Sequence, residues 1–166
     1  PAKTGRKLVL ATNIAQTSLT IEGVDVVIDT GIEKVVQYQY KTASEQLLSQ
    51  PVSIASATQR TGRAGRLGPG VCYRFGSAEQ FERRRAHDVA EIERVDLSPL
   101  RLELLLWGAQ FDHLFWLSSP PANLQHAAEE ALLALGFVTR QGNKLQATQL
   151  ARHYQQAPTD LRLCKM

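Results

Sequence analysis

Two short apolar runs separated by a polar loop constrain the fold of this chain more than any other feature. Residues 8–11 read Leu-Val-Leu-Ala, and a second, mostly apolar run covers residues 24–28. Runs of this length and composition are typical of buried β-strands. Together with a third candidate at residues 70–75, they predict an α/β fold with strands at 7–11, 24–28 and 70–75.

The loop between the first two runs is rich in hydrogen-bonding side chains. The hydroxyl or amide side chains that follow the first run include Thr12, Asn13, Thr17, Ser18 and Thr20. In open α/β sheets, ligands bind in the crevice outside the carboxyl ends of the strands. The loop is therefore a candidate site for phosphate oxygens, although an ordinary polar connection would have the same composition.

Residues 59–66 read Gln-Arg-Thr-Gly-Arg-Ala-Gly-Arg. A helix predicted over residues 55–66 would place Gln59, Arg63 and Arg66 on one face. The planar guanidinium forks of two arginines suit a polyanion such as a triphosphate. Gly62 and Gly65 would each cost roughly 1 kcal/mol relative to Ala inside a helix. The segment therefore indicates a working site, and a solvated basic helix end is the alternative.

The positive charge of the chain is concentrated around this segment. The formal net charge is +3, whereas residues 59–85 contain seven arginines and two glutamates, a local balance of +5. Such a patch attracts phosphate backbones without reading base sequence. For the arginines at 83–85, a solvated helix end explains the sequence equally well. The two cysteines, Cys72 and Cys164, have no metal-binding spacing.

An alternating segment predicts a β-hairpin. Residues 33–40 alternate, residues 41–44 offer a polar turn that includes Lys41, and residues 45–52 can return. Tyr38 and Tyr40 share one face of the first strand and could stack on nucleic-acid bases. Packing of both rings on the protein is the equally weighted alternative.

The second half of the chain reads as a small, mainly helical module. Before this module, Ser77 opens a short helix through Arg85 with a capping box. Within the module, Ser98 with Pro99 starts a helix that has an apolar body over residues 100–107. A helix over 123–136, two strands within 137–147 and a helix over 148–154 follow. Helix, helix, two-stranded wing and helix predict a winged-helix domain.

Two ordered motifs resemble a known family. Residues 12–21 (T-N-I-A-Q-T-S-L-T-I) resemble motif V of the DEAH/RHA superfamily 2 helicases, and residues 59–66 resemble their motif VI, QRxGRxGR. Residues 68–74 and 104–108 are also similar to bacterial HrpB-type or HrpA-type members. The resemblance implies the C-terminal part of a second RecA-like domain with a projecting β-hairpin (1–88), a winged-helix domain (89–156) and the start of a further helical domain (157–166).

The resemblance also implies roles for individual residues. Arg63 and Arg66 match the arginine fingers of the family, and Gln59 would place the attacking water. Gln16 stands where the family usually has Glu. The other implied contacts are Ser18, Thr20 and Glu22 with the nucleotide, and Thr12, Asn13, Tyr38, Tyr40 and Lys41 with nucleic acid.

These motifs imply one part of an ATP-dependent nucleic-acid helicase, with RNA the expected substrate, that is inactive alone. The sequence contains neither G-x-x-x-x-G-K-[ST] nor Asp-Glu-x-His. ATP and Mg²⁺ are therefore expected to be bound mainly by a first RecA-like domain outside these residues. A non-catalytic module that binds nucleic acid or a partner is the alternative. No metal site is predicted. The absence of a signal peptide and of an apolar run of membrane-spanning length predicts a cytoplasmic location.

Overall fold

A computed structural model describes residues 5–17, 21–40, 42–142, 144–156 and 160–164. The predicted site residues Ser18, Thr20 and Lys41 lie outside this described part. In chain order the helices are α1 (Ile14–Thr17), α2 (Ile54–Thr61), α3 (Ala78–Glu82), α4 (Ser98–Leu106), α5 (Ala122–Leu135), α6 (Gln149–Gln156) and α7 (Leu161–Cys164). The strands are β1 (Val26–Asp29), β2 (Ile32–Gln39), β3 (Ser44–Pro51), β4 (Val71–Arg74), β5 (Val138–Gln141) and β6 (Lys144–Ala147).

The chain divides into two units that interleave in sequence. The first contains Pro1–Val36 and Leu47–Asp88, and the second contains Gln37–Gln46 and Val89–Met166. The tip of the hairpin formed by β2 and β3 is thus grouped with the C-terminal half of the chain. The predicted domain limits, which assign the whole hairpin to the first domain, stay a prediction.

The first unit contains the predicted parallel pair of strands. β1 and β4 are parallel, with Val26 opposite Val71 and Asp29 opposite Arg74. This pair confirms the α/β fold class. The strand predicted at residues 7–11 is wrong, because these residues have no regular secondary structure. Their leucines are 83% and 90% exposed, so they lack the burial that stabilises such a strand.

The second unit has the predicted winged-helix order. α4 and α5 are followed by the antiparallel wing β5–β6, in which Val138 lies opposite Ala147, and then by α6. α5 ends at Gly136, whose φ of 80° is the left-handed conformation that glycine adopts at helix ends. One core cluster joins these elements through buried side chains: Leu102, Leu132, Phe137, Val138, Ala151 and Leu161.

Candidate functional site

The helix that carries the basic motif is shorter than predicted. α2 ends at Thr61, and the backbone continues as turns over residues 62–65 and as a bend at residue 66. Gln59 therefore lies on the helix, whereas Arg63 and Arg66 lie beyond its end. The prediction of one helical face over residues 55–66 was wrong. The helix ends early for a local reason, because two glycines within four residues disfavour its continuation.

A close backbone contact positions this turn. A Cβ atom at Gly70 would lie 2.1 Å from the Ala64 carbonyl oxygen, far inside van der Waals contact. Only a residue without a side chain allows the start of β4 to approach the turn so closely. Ala64 is buried, whereas Arg66 is exposed. The turn is thus packed on its inner side and presents Arg66 outward.

Gln16, within the hydroxyl-rich loop, connects that loop to α2. Its Nε2 donates to Ser56 Oγ at 2.7 Å and to Gln59 Oε1 at 3.2 Å. Its Oε1 accepts from Arg60 Nε at 3.1 Å. The Arg63 guanidinium donates to the Gln16 backbone carbonyl. One side chain therefore brings together the two segments that resemble motifs V and VI.

Arg60 has a different environment from the other two arginines of the motif. Its Nη1 contacts Asp29 Oδ1 at 2.9 Å and donates to the Ile32 carbonyl at 3.2 Å. Its Nη2 lies 3.8 Å from the Glu33 carboxylate. The side chains of Arg60 and Asp29 are only 14% and 2% exposed. Arg60 thus joins α2 to the end of β1 through a buried ion pair.

The structure places the predicted loop residues at the surface. Thr12, Asn13 and Glu22 are exposed. The Thr12 and Asn13 carbonyls accept hydrogen bonds from the Ala15 and Gln16 amides, which fold the loop into α1. Because they are exposed, the Thr12 and Asn13 side chains are accessible to a ligand. Their contacts with nucleic acid or nucleotide stay predictions.

The two hairpin tyrosines belong to the second unit and are packed there. Tyr38 is 6% exposed, and its hydroxyl receives a hydrogen bond from Arg162. The Tyr40 hydroxyl donates to the Val95 carbonyl at 3.2 Å, and the two rings form an edge-to-face pair with centroids 4.7 Å apart. Burial, followed by the nearby Asp96 charge, raises the pKa of Tyr40 to about 12. In this conformation the tyrosines support the packing alternative, because Tyr38 offers almost no accessible ring face for a base.

The arginines at 83–85 also make contacts within the first unit. Arg83 forms an exposed ion pair with Glu79. The Arg84 guanidinium lies 5.6 Å from the Phe81 ring centroid, and Arg85 donates to the Gln50 side chain at 3.1 Å. These contacts account for much of the basic run without a ligand.

The sequence did not reveal Asp29, Ser56, Asp88 or Gly70 as residues that organise the site. Ser56 Oγ donates to Asp88 Oδ2 at 2.5 Å. Within the part of the chain that the structure describes, no group of three or more His, Cys, Asp or Glu residues could hold a metal ion. The same part contains no helix long and apolar enough to cross a membrane. The arrangement offers an amide and guanidinium groups that can bind phosphate oxygens.

Comparison with known proteins shows which protein family this chain resembles. A family model described as the helicase conserved C-terminal domain matches residues 2–68. ATP-dependent RNA helicase HrpB of Escherichia coli (strain K12) is 46% identical over 149 residues, which are 89% of this chain and 18% of that protein. Probable ATP-dependent RNA helicase DHX35 of Homo sapiens is 44% identical over 132 residues, which are 79% of this chain and 19% of that protein.

Solved structures agree with these matches. A crystal structure of E. coli DExH-box NTPase HrpB superposes with a TM-score of 0.88 at 40% identity, covering 99% of this chain and 20% of that one. A crystal structure of E. coli DEAH/RHA helicase HrpB gives a TM-score of 0.85 at 40% identity, covering 93% and 19%. The chain belongs to the DEAH/RHA helicase family. It spans less than one fifth of the length of the curated relatives it matches.

Proposed function

We propose that this chain supplies one face of the ATP-hydrolysis site of an ATP-dependent RNA helicase and is inactive by itself. The relatives compared above are named as ATP-dependent RNA helicases. One observation carries the proposal: Gln59, Arg63 and Arg66 lie on one short segment that Gln16 joins to the preceding loop. That segment combines side chains that can bind phosphate with a contact to the loop that would touch the nucleic acid.

The chemistry would be stabilisation of charge on a transferred phosphoryl group. ATP would lie between this segment and a first RecA-like domain, which would hold most of the Mg²⁺ ligands. Arg63 and Arg66 would neutralise the charge that develops on the γ-phosphate oxygens, an effect worth about 10³–10⁵ in rate in related phosphoryl transfers. Gln59 would orient the attacking water.

The same loop offers a route for coupling hydrolysis to movement along RNA. Thr12 and Asn13 would contact the nucleic-acid backbone, while Ser18, Thr20 and Glu22 would respond to the nucleotide. Lys41 would contact the nucleic acid from the hairpin, and Tyr38 and Tyr40 would do so once unwinding releases them from the packing described above. ATP that binds the closed state more tightly would then shift the grip on the strand. A cytoplasmic location goes with this role.

The test uses E. coli HrpB in which the aligned segment is replaced by this chain, here called the HrpB chimera. We expect RNA-stimulated ATP hydrolysis by the HrpB chimera and none by the 166-residue chain alone. Arg66→Ala should lower turnover by about 10³-fold or more, while RNA affinity stays within about threefold. Arg152→Ala, an exposed arginine on α6, is the matched control and should leave both unchanged.

Two results would contradict the proposal. Turnover that survives Arg66→Ala within a few-fold would remove the arginine-finger role. A folded HrpB chimera that binds RNA in a salt-sensitive manner but hydrolyses no ATP would favour the non-catalytic binding module.

A further inference from the structure

We propose that Gln16 is a positioning residue for the proposed hydrolysis reaction, acting through a hydrogen-bond relay of Gln16, Ser56 and Asp88. The inference rests on the proposed function, because its consequence is the placement of Arg63. The Gln16 backbone carbonyl accepts from the Arg63 guanidinium. Any change that moves Gln16 therefore moves a contact of the arginine that would act on phosphate.

The orientation of the Gln16 amide follows from its neighbours. Arg60 Nε can only donate, so the atom 3.1 Å from it must be the acceptor Oε1. Nε2 is then the atom that faces Ser56 Oγ at 2.7 Å. Gln16 consequently acts as an acceptor toward Arg60 and as a donor toward Ser56.

The Ser56 hydroxyl has a single proton, which it donates in its hydrogen bond to Asp88. Burial tends to raise the pKa of the Asp88 carboxyl, but hydrogen bonds from Ser56 and Ser53 and the charge of Arg85 hold that pKa below its ordinary value. Asp88 is therefore ionised at neutral pH and can only accept. Ser56 itself is 3% exposed, and its hydroxyl oxygen contacts both Gln16 and Asp88. The group at position 16 must donate.

An amide at position 16 meets this requirement, whereas a carboxylate does not. With glutamate at position 16, the Ser56 hydroxyl would lie between two carboxylates and could donate to only one. Arg60 and Arg63 would still attract the new carboxylate, so we expect the loop to stay on α2 in a shifted position. The glutamine at position 16 is therefore matched to Asp88.

The test compares three variants of the HrpB chimera: Gln16→Glu, Asp88→Asn and the double substitution. Gln16→Glu should lower kcat roughly tenfold, the scale of one buried polar mismatch, with little change in KM for ATP. Asp88→Asn alone should lower kcat, but by less than Gln16→Glu does, because the amide oxygen can still accept from Ser56. The double substitution should recover most of kcat, because the new amide at position 88 then donates to the Ser56 hydroxyl, which in turn donates to the new carboxylate at position 16. Gln59, which accepts from Gln16 in the parent, can turn its own amide group to donate to that carboxylate.

Gln146→Glu, the same chemical change at an exposed position of β6, is the control and should leave kcat unaltered. Full activity of Gln16→Glu, or a loss that Asp88→Asn does not repair, would overturn the relay. So would a drop in the thermal midpoint of Gln16→Glu that accounts for its loss of activity. A parent HrpB chimera with no turnover would instead refute the proposed function, which keeps the two failures distinct.

Discussion

The three arginines of residues 59–66 differ in what surrounds them. Arg60 is largely buried against Asp29, whose Oδ1 also accepts the Gly31 amide at 2.9 Å. Arg66 is exposed. Taking two charges out of water is costly, and the ion pair offsets this cost only while both partners are present. We therefore assign Arg60 to the fold and Arg66 to the proposed chemistry.

This assignment predicts the effect of Arg60→Ala on stability. Removing the guanidinium leaves Asp29 buried without its ion-pair partner, which should lower the free energy of unfolding by about 3–5 kcal/mol. Urea denaturation of the chain measures the change. Arg83→Ala is the control, because its ion pair with Glu79 is exposed and should contribute less than about 1 kcal/mol. Equal losses from both variants would show that Arg60 does not stabilise the fold in this way.

At the scale of elements, a strand is predicted correctly where its formation depends on the local sequence pattern. The prediction fails where the strand also depends on a partner distant in sequence. The run at 24–28 and the wing at 137–147 contain their own pattern, and both form strands. The run at 8–11 has the same composition but stays irregular and exposed, because a strand also needs a neighbouring strand. Local composition does not supply that neighbour.

The same distinction between local and distant contacts applies to the residues of the candidate site. The resemblance to motif VI predicts Gln59, Arg63 and Arg66 as site residues, because their spacing is local. The contacts of Gln16 with Ser56 and of Arg60 with Asp29 join residues 40 and 31 positions apart. No periodicity in the sequence indicates pairs at such separations. Only the packing of α2 against β1 and the loop brings them together.

The close packing of the turn after α2 predicts the effect of a substitution at Gly70. Gly70→Ala should displace the turn, because the added methyl would overlap the Ala64 carbonyl, which is backbone and cannot rotate away. A displacement near 1 Å at Arg63 and Arg66 should lower kcat of the HrpB chimera by about 10–100-fold. Gly68→Ala is the control, because a Cβ there has no atom within 4 Å. Similar activity of the two variants would show that this close contact does not position the arginines.

At the scale of the whole molecule, each of the two units is built from two separate segments of the chain. The hairpin begins in the first unit, yet its tip, Gln37–Gln46, is grouped with Val89–Met166. Within that second unit the Tyr38 amide donates to the Arg94 carbonyl at 2.8 Å, and the Tyr40 side chain packs against a core cluster that includes Leu97 and Phe111. The tip is therefore a structural part of the second unit, although it is distant from the rest of that unit in sequence.

This packing predicts how the stability of the second unit depends on pH. Burial and the Asp96 charge raise the pKa of Tyr40 to about 12 and raise that of Tyr38, whereas an unfolded tyrosine titrates near pH 10. Because the folded pKa is the higher one, this stabilisation is fully present below about pH 10 and is lost as the pH rises toward 12. Urea denaturation of the chain between pH 9 and 12 should therefore show falling stability. Tyr40→Phe keeps the ring but cannot ionise, so its decline should be shallower. An identical decline in both proteins would mean that Tyr40 ionises as easily in the folded protein as in the unfolded one.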